Sequence, residues 1–401
     1  MQVSAGHSGE LHLTYCTNVH PGDTLKHARS LLPRFAPLVR SLQKDPQTPV
    51  AWGLFLGDEA IHEMEADRSL GRDLCDRMQE CNTYALTMNA FPMRGFHDSV
   101  VKEQVYRPDW HDPERYLHTV RTARVLASLP SRSSYQSIST LPGSFKGFGS
   151  ADTTQIAHHI KLVAQELTRI EAETGRRIVL AVEPEPGCTF ETTDEWISFF
   201  ETDLLNAART SGVGHDRVSE DDMRRHVGVC FDCCHQSVEF EDVAASLRRL
   251  VDSDITIAKI QLSTALRLEA PANSPDALRR LAAFDEPRYL HQVGARGQDG
   301  EVTIFRDLGE YLPLAKQRDD SSCRIHFHVP IFEAEIGAGL LTTRPDLLQV
   351  IHLVREKSIT EHLEIETYSF DALPDTCNDQ LSLSESIARE YHFVLSQLAQ
   401  H

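Results

Sequence analysis

The sequence predicts an α/β protein closed into a (β/α)8 TIM barrel, on three observations. Short, β-branched apolar runs alternate with amphipathic helical stripes nearly to the end of the chain, the pattern of a parallel sheet covered by helices. Several of these runs end in acids, amides or histidines, namely AVEPEPG, GVCFDCCH, ITIAKIQLS, RIHFHVP and HLEIETYS. A barrel assembles its site from such strand ends. Finally, no G-x-G-x-x-G opens a helix and no Walker loop occurs, so an open nucleotide-binding sheet lacks its usual mark.

Nine runs have strand character, over 11–16, 50–56, 83–88, 135–140, 178–184, 227–232, 256–263, 324–330 and 362–367. A barrel uses eight. Residues 266–322 contain YLHQVGARGQDGEVTIF, which reads as a hairpin or excursion around Gly297 and Gly300, inserted after the seventh strand. Whether 324–330 belongs to the barrel stays open at this level. Among the helices, Ile156, Ile160, Val163, Leu167 and Ile170 form a one-sided stripe, and Gly175 stops it. Asp112 before Pro113 reads as an N-cap opening a helix to about Leu129. Trp196, Phe199, Phe200 and Leu204 mark another, Leu347, Val350, Ile351 and Val354 a third, and a last helix closes the chain within 381–401. No repeat or long linker divides the chain, so 1–401 reads as a single barrel domain.

The 401 residues are 41% hydrophobic and 25% charged, as in a globular protein, and carry a net charge of −19. That charge argues against a nucleic-acid partner. The start, MQVSAGHSGE, lacks a basic region followed by an apolar core, and no run approaches the roughly 18 apolar residues of a membrane span. A cytoplasmic protein with reduced thiols is expected. Its nine cysteines include Cys230, Cys233 and Cys234, crowded on what reads as one strand. Alternation puts Cys230 and Cys233 on opposite faces, so buried small hydrophobes are expected rather than a shared zinc.

Period-two alternation sorts the strands into faces. Val179, Ala181 and Glu183 share one face, Gly228, Cys230 and Asp232 another, and Ile257, Lys259 and Gln261 a third. Arg324, His326 and His328 fall together, as do His362, Glu364 and Glu366. Polar faces opposite apolar ones point to the barrel axis, where bare charge needs partners. Either these residues pair with each other, as Lys259 with Glu364, or they hold a metal. His235, three residues after Asp232, adds an imidazole to the same end. Carboxylates and imidazoles from separate strands suit a divalent cation such as Mn²⁺, Mg²⁺, Co²⁺ or Zn²⁺. At the rim, His20 and Asn89 are candidate substrate contacts, with Asn18, Arg94 and His97 nearby. The loop LPGSFKGFG, with Lys146, reads as an anion cradle or as a mobile surface loop. Trp110 reads as packing.

The segments LTYCTNVHPG, NAFPMRGFHDSVVKEQVYRPDW, SISTLPGSFKG, AVEPEPGC, FDCCHQSV, YLHQV, HFHVP and LEIETYSFDALP span nearly the whole chain. Together they resemble the xylose-isomerase-like TIM barrels, a superfamily of sugar isomerases and epimerases that also includes endonuclease IV. Within it they are most similar to the EboE family of sugar-phosphate isomerase/epimerase-like metabolite traffic proteins. The resemblance implies a divalent-metal site in which Glu183, Asp232 and Glu366 match two Glu and an Asp of the superfamily. Gln261 stands where the superfamily has a His, which leaves either a three-carboxylate site or one completed by His326, His328 or His235. FDCCH is also similar to the D-T-C-H of endonuclease IV and keeps a multi-metal site open.

The expected function is isomerisation or epimerisation of a sugar- or cyclitol-like polyol or its phosphate, with pathway proteins as further partners. Glu183 and Glu366 would take and return a proton, and Lys259 or His328 would steady the oxygen anion. Two rivals remain at this level. One is metal-assisted phosphoester hydrolysis. The other is a non-catalytic metabolite carrier, which Gln261 in place of His favours.

Overall fold

Eight parallel strands wall the barrel in the computed structural model, which describes residues 1–3, 9–43, 45–95, 100–210, 218–374 and 381–399. They are β1 (Leu11–Tyr15), β2 (Val50–Phe55), β3 (Thr83–Asn89), β4 (Gln136–Thr140), β5 (Ile178–Val182), β6 (Val227–Asp232), β7 (Thr256–Leu262) and β8 (His362–Ile365). Apart from Thr256 every residue in them is buried, which explains why they read as continuous runs. Strand β8 lies between β7 and β1, with Glu364 opposite Gln261 on one side and Thr14 on the other. The β1–β2 seam holds a single bridge, Cys16 to Gly53. Threonine hydroxyls do the rest. Thr14 Oγ1 donates to the Ala51 carbonyl and accepts from Gly53 N, both at 2.9 Å, and Thr17 Oγ1 accepts from Phe55 N at 2.8 Å. Gly53 is required there, because a Cβ would sit 1.9 Å from Glu364 Oε1.

The helices follow their stripes. Thr153–Thr174 ends at Gly175, whose φ of 69° places it in the left-handed region that glycine tolerates. Asp112 caps Pro113–Ser128 by accepting from Glu114 N at 2.9 Å. The Trp196 stripe is Thr193–Phe199 running into a π turn over Phe200–Leu204. Arg344–Glu356 precedes β8, and Leu383–Leu398 is the last helix.

After β7 the chain leaves the wall and builds a five-stranded antiparallel sheet. Its order is Val302–Phe305, Val293–Gly297, Asp320–Ile325, Leu266–Glu269, Leu341–Thr342. The hairpin expected around Gly297 and Gly300 is the first pair. The sheet has its own core, including Leu268, Phe284, Val293, Tyr311, Ile325 and Phe327. The insertion therefore runs on to Thr342, beyond 322. The ninth run settles here too. Residues 324–330 are no barrel strand: the strand ends at Ile325, a tight turn follows in which Phe327 N donates to the Ile325 carbonyl at 2.8 Å, and the chain heads for the barrel mouth.

Inside the barrel, away from the mouth, residues of the polar face pair with one another. His12 Nδ1 lies 2.6 Å from Tyr84 OH, Ser137 Oγ lies 3.0 Å from His362 Nδ1, and Tyr135 stacks on His362 at 4.2 Å. Above them Lys259 Nζ donates to Glu364, both fully buried. Mutual pairing, one of the two outcomes expected for this face, holds for this layer. The cysteine spacing needs correcting. Cys233 opens a helix, Cys233–Val238, so the C-x-x-C joins a strand end to a helix start instead of lying within one strand. Cys230 donates to Gln261 Oε1 at 3.0 Å, while Cys233 packs in the main core. Among the described residues no helix is long and apolar enough to cross a membrane.

Candidate metal centre

At the carboxyl end of β5 comes Glu183, then Pro184 and Glu185. Asp232 ends β6 and caps the short helix behind it: its Oδ1 accepts from His235 N at 2.9 Å and from Ser263 Oγ at 2.8 Å. Those two bonds fix the carboxylate and leave Oδ2 aimed forward. His235 lies in the first turn of that helix. His326 and His328 arrive from the inserted sheet, and Glu366 follows β8 with its amide on the Leu262 carbonyl at 3.2 Å. Donor atoms of Asp232, His235 and His328 lie within 4.8 Å of one another, as do those of Glu185, His235 and His326.

The tautomers of the three imidazoles are dictated by their outer partners. A carbonyl oxygen only accepts, so His235 Nδ1 donates to Pro184 O at 3.2 Å and His328 Nδ1 donates to Glu366 O at 2.8 Å. Gln292 Nε2 donates to Pro186 O at 2.9 Å, which orients its amide and turns Oε1 toward His326 Nδ1 at 2.7 Å. Each ring therefore presents a bare Nε2 lone pair to the cavity. His235 Nε2 and His326 Nε2 face each other at 3.1 Å. His328 Nε2, Asp232 Oδ2, Glu183 Oε2 and Glu185 Oε2 are buried with no hydrogen-bond partner among the described residues. A buried acceptor without a donor is costly. Converging lone pairs and carboxylates fit a divalent cation.

The charges agree. Burial, then the Asp232 carboxylate, pushes Glu183 well above the usual carboxylate range. Burial, then Glu183, does the same to Glu366. Burial raises Glu185 to about 8 and lowers His235 to about 4. Burial opposes the charge on Asp232, but His235 and His328 beside it, with the bonds from His235 N and Ser263, hold it below its ordinary value. Without a cation the acids share their protons; a dication reverses that preference.

The cavity above these groups has a volume of about 80 Å³, room for an ion and a few waters. It opens to a rim formed by Phe91, Val101, Val105, Tyr106, Tyr289 and Leu290.

The site brings together Glu183, Asp232, His235, His326, His328 and Glu366. Gln261 is buried one layer below, facing Cys230, and does not line the cavity. Lys259 sits deeper still, on Glu364. Arg324 separates from His326 and His328, pairing with Asp346 at 3.1 Å, because the strand's alternation stops at Ile325. Asn89 lines the cavity, with Oδ1 accepting from Phe91 N at 2.9 Å. His20 lies away from it, against Phe35 and 3.1 Å from Tyr15 OH, and Asn18 takes the place expected of it: Nδ2 donates to Glu366 Oε1 at 2.9 Å. Lys146 pairs with Glu191 outside the cavity. Arg94 is exposed, and His97 falls outside the described residues. Trp110 is fully buried and bonds the Leu141 carbonyl at 3.0 Å, as packing requires.

Sequence reasoning missed Glu185, Tyr106 and Gln292. Tyr106 OH donates to Glu185 Oε1 at 2.6 Å and accepts from Gln292 Nε2 at 2.7 Å. The E-P-E spacing of Glu183 and Glu185 was a usable signal for the first. Gln292 carried none, since it lies in the inserted sheet and outside the barrel register.

No protein family and no curated protein matches the chain. Among solved structures it is similar to that of an L-ribulose 3-epimerase, with 11% identity and a TM-score of 0.51 over 97% of this chain and 94% of that one. It is also similar to an IolI protein with a bound zinc atom, with 14% identity and a TM-score of 0.48 over 98% and 100%, and to a D-tagatose 3-epimerase-like protein, with 12% identity and a TM-score of 0.46 over 97% and 100%. At such identities the likeness establishes the fold alone, a (β/α)8 barrel.

Proposed function

We propose that this protein is a divalent-metal-dependent isomerase or epimerase of a sugar- or cyclitol-like polyol, as the resemblance to EboE-type metabolite proteins suggests. The observation that carries the reading is the convergence of three imidazoles with bare Nε2 atoms on two buried carboxylates, His235 and His328 with Asp232, and His235 and His326 with Glu185. Asp232, His235, His328 and Glu183 hold the cation, with His326 and Glu366 at its edge. Imidazole-rich sites favour Zn²⁺, Co²⁺ or Mn²⁺ over Mg²⁺. When bound, such an ion polarises substrate oxygens and acidifies the adjoining C–H. Glu183 and Glu366, both lining the cavity, take and return the proton. Asn18 orients Glu366. Neither Lys259, whose ammonium is committed to Glu364, nor His328, whose Nδ1–H is committed to the Glu366 carbonyl, is free to steady the oxygen anion.

Elemental analysis after purification without chelator should find about one divalent ion per chain. The loaded protein in D₂O should exchange one C–H of a free sugar or cyclitol, and Glu183→Gln should slow this by a factor of about 10² to 10⁴. Protein that retains no divalent ion through this purification, and that exchanges nothing in a broad polyol panel after divalent ions are added, ends the reading. The second donor set, Glu185, His235 and His326, favours one alternative, two-ion phosphoester hydrolysis, which two or more ions per chain would support.

A further inference from the structure

The cavity's charge inventory bears on the substrate, given the polyol reading above. Glu183, Glu185, Asp232 and Glu366 all stand at its floor or beneath it. Among the described residues lining it Lys102 is the one cation, and its Nζ is held 2.6 Å from Asp307 Oδ2. Three other cations close to these segments are paired as well: Arg306 with Glu103 at 2.8 Å, Arg288 with Asp371 at 2.5 Å, and Lys146 with Glu191. A phosphomonoester brings nearly two negative charges and seeks guanidinium forks, ammonium groups or helix N-terminal amides. The helix that opens at the mouth, Cys233–Val238, already has its N-terminus capped by Asp232. Nor does the LPGSFKGFG loop offer a nest of amides. Ser144 N donates to Thr189 Oγ1 at 3.0 Å, Lys146 N to Gly187 O at 2.8 Å and Phe148 N to Phe145 O at 2.9 Å.

The rim has the opposite character. Tyr106 is clamped between Phe91, with ring centroids 5.6 Å apart, and Phe145, at 4.9 Å with the rings parallel. Val101, Val105 and Leu290 extend this wall. Rigid aromatic and aliphatic walls above a polar floor bind ligands that are polar at one end and apolar along a flank. One pocket is lined by both the polar floor and this wall, so a ligand whose reacting end reaches the floor lays its remainder along the wall. We infer that the substrate is an unphosphorylated, uncharged polyol bearing an apolar flank, and that sugar phosphates are rejected.

The test is a binding panel on the metal-loaded full chain, by calorimetry and thermal shift. Aldoses, ketoses and cyclitols are each offered as the free compound, as its monophosphate and as its phenyl ether or glycoside, with inorganic phosphate alongside. The best parent should bind at least ten-fold more tightly than its monophosphate, its phenyl derivative more tightly again, and inorganic phosphate should give no protection. Lys102→Ala should leave the neutral ligands' affinities unchanged. Val105→Ser, at a half-buried position, should cut the phenyl advantage several-fold and spare the parent. A monophosphate that outbinds its parent overturns the inference, and so does a panel in which no neutral member binds. Metal content and C–H exchange score the isomerase reading separately: faster exchange of a sugar phosphate than of its parent leaves that reading standing and sinks this one.

Discussion

His235 and His326, 91 residues apart, face each other through their Nε2 atoms at 3.1 Å, and neither nitrogen has a proton to give. The Nδ1–H of each is committed to an oxygen, Pro184 O for His235 and Gln292 Oε1 for His326. Burial also keeps both rings neutral, His235 down at about 4 and His326 well below its ordinary value. Two lone pairs aimed at each other in a buried site among carboxylates fit a bound cation.

Gln292 is the outer partner of this pair, so Gln292→Leu should weaken metal binding about 10- to 100-fold by freeing the His326 tautomer. Titration of chelator-treated protein with Zn²⁺ measures it. An unchanged affinity would remove the tautomer argument.

Melting temperature of the metal-free protein should fall between pH 6.5 and 8. The buried His235 and His12, both lowered to about 4, bind fewer protons than the unfolded chain between about 4 and 6.5, so these two groups favour stability rising with pH there. Glu185 and Glu390, raised by burial to about 8, keep protons that the unfolded chain loses from about pH 4.5 upward and act with the opposite sign, as do Glu183 and Glu366. Below pH 6.5 the two sets oppose each other; from 6.5 to 8 the acids act without these histidines, and added Zn²⁺ should reduce the fall. A metal-free melting curve that climbs between pH 6.5 and 8 contradicts this.

Lys259→Met should destabilise the fold by about 3 to 5 kcal/mol, because Glu364 is left charged and alone in the barrel axis. The double variant Lys259→Met with Glu364→Leu should recover much of the loss. Denaturant titration of the three proteins distinguishes a structural pair from a group whose removal affects only turnover.

Asn18 and His20 separate two meanings of the loop after β1. Loss of the Asn18 bond to Glu366 in Asn18→Ala should slow C–H exchange about ten-fold or more, in line with about 1.5 to 3 kcal/mol for a hydrogen bond to a charged group. His20→Phe, packed on Phe35 away from the cavity, should leave the rate within a few-fold. Equal effects from both would argue against Asn18 as a positioning residue.

Strand ends were the legible part of the site. Glu183, Asp232 and Glu366 follow directly from the apolar runs before them, and His235 from its spacing to Asp232. Gln261 was placed on the correct face but one layer too high, since alternation reports side and says nothing of depth along the axis. His326 and His328 were assigned to a shared face with Arg324, yet they reach the mouth only because the strand stops at Ile325 and the backbone turns.

From the sequence alone came nine strand candidates that include the eight barrel strands, the hairpin after β7 and the acids at three strand ends, since burial on both faces and helical stripes leave local periodicities. Tertiary structure alone decided that an inserted sheet, with a core of its own, delivers two imidazoles and Gln292 to the barrel mouth. It alone set Lys259 on Glu364 and chose Asn18 over His20. Those outcomes depend on contacts between residues distant in the chain, 105 positions apart for Lys259 with Glu364 and 106 for Gln292 with Pro186, and no local period records which distant groups will meet.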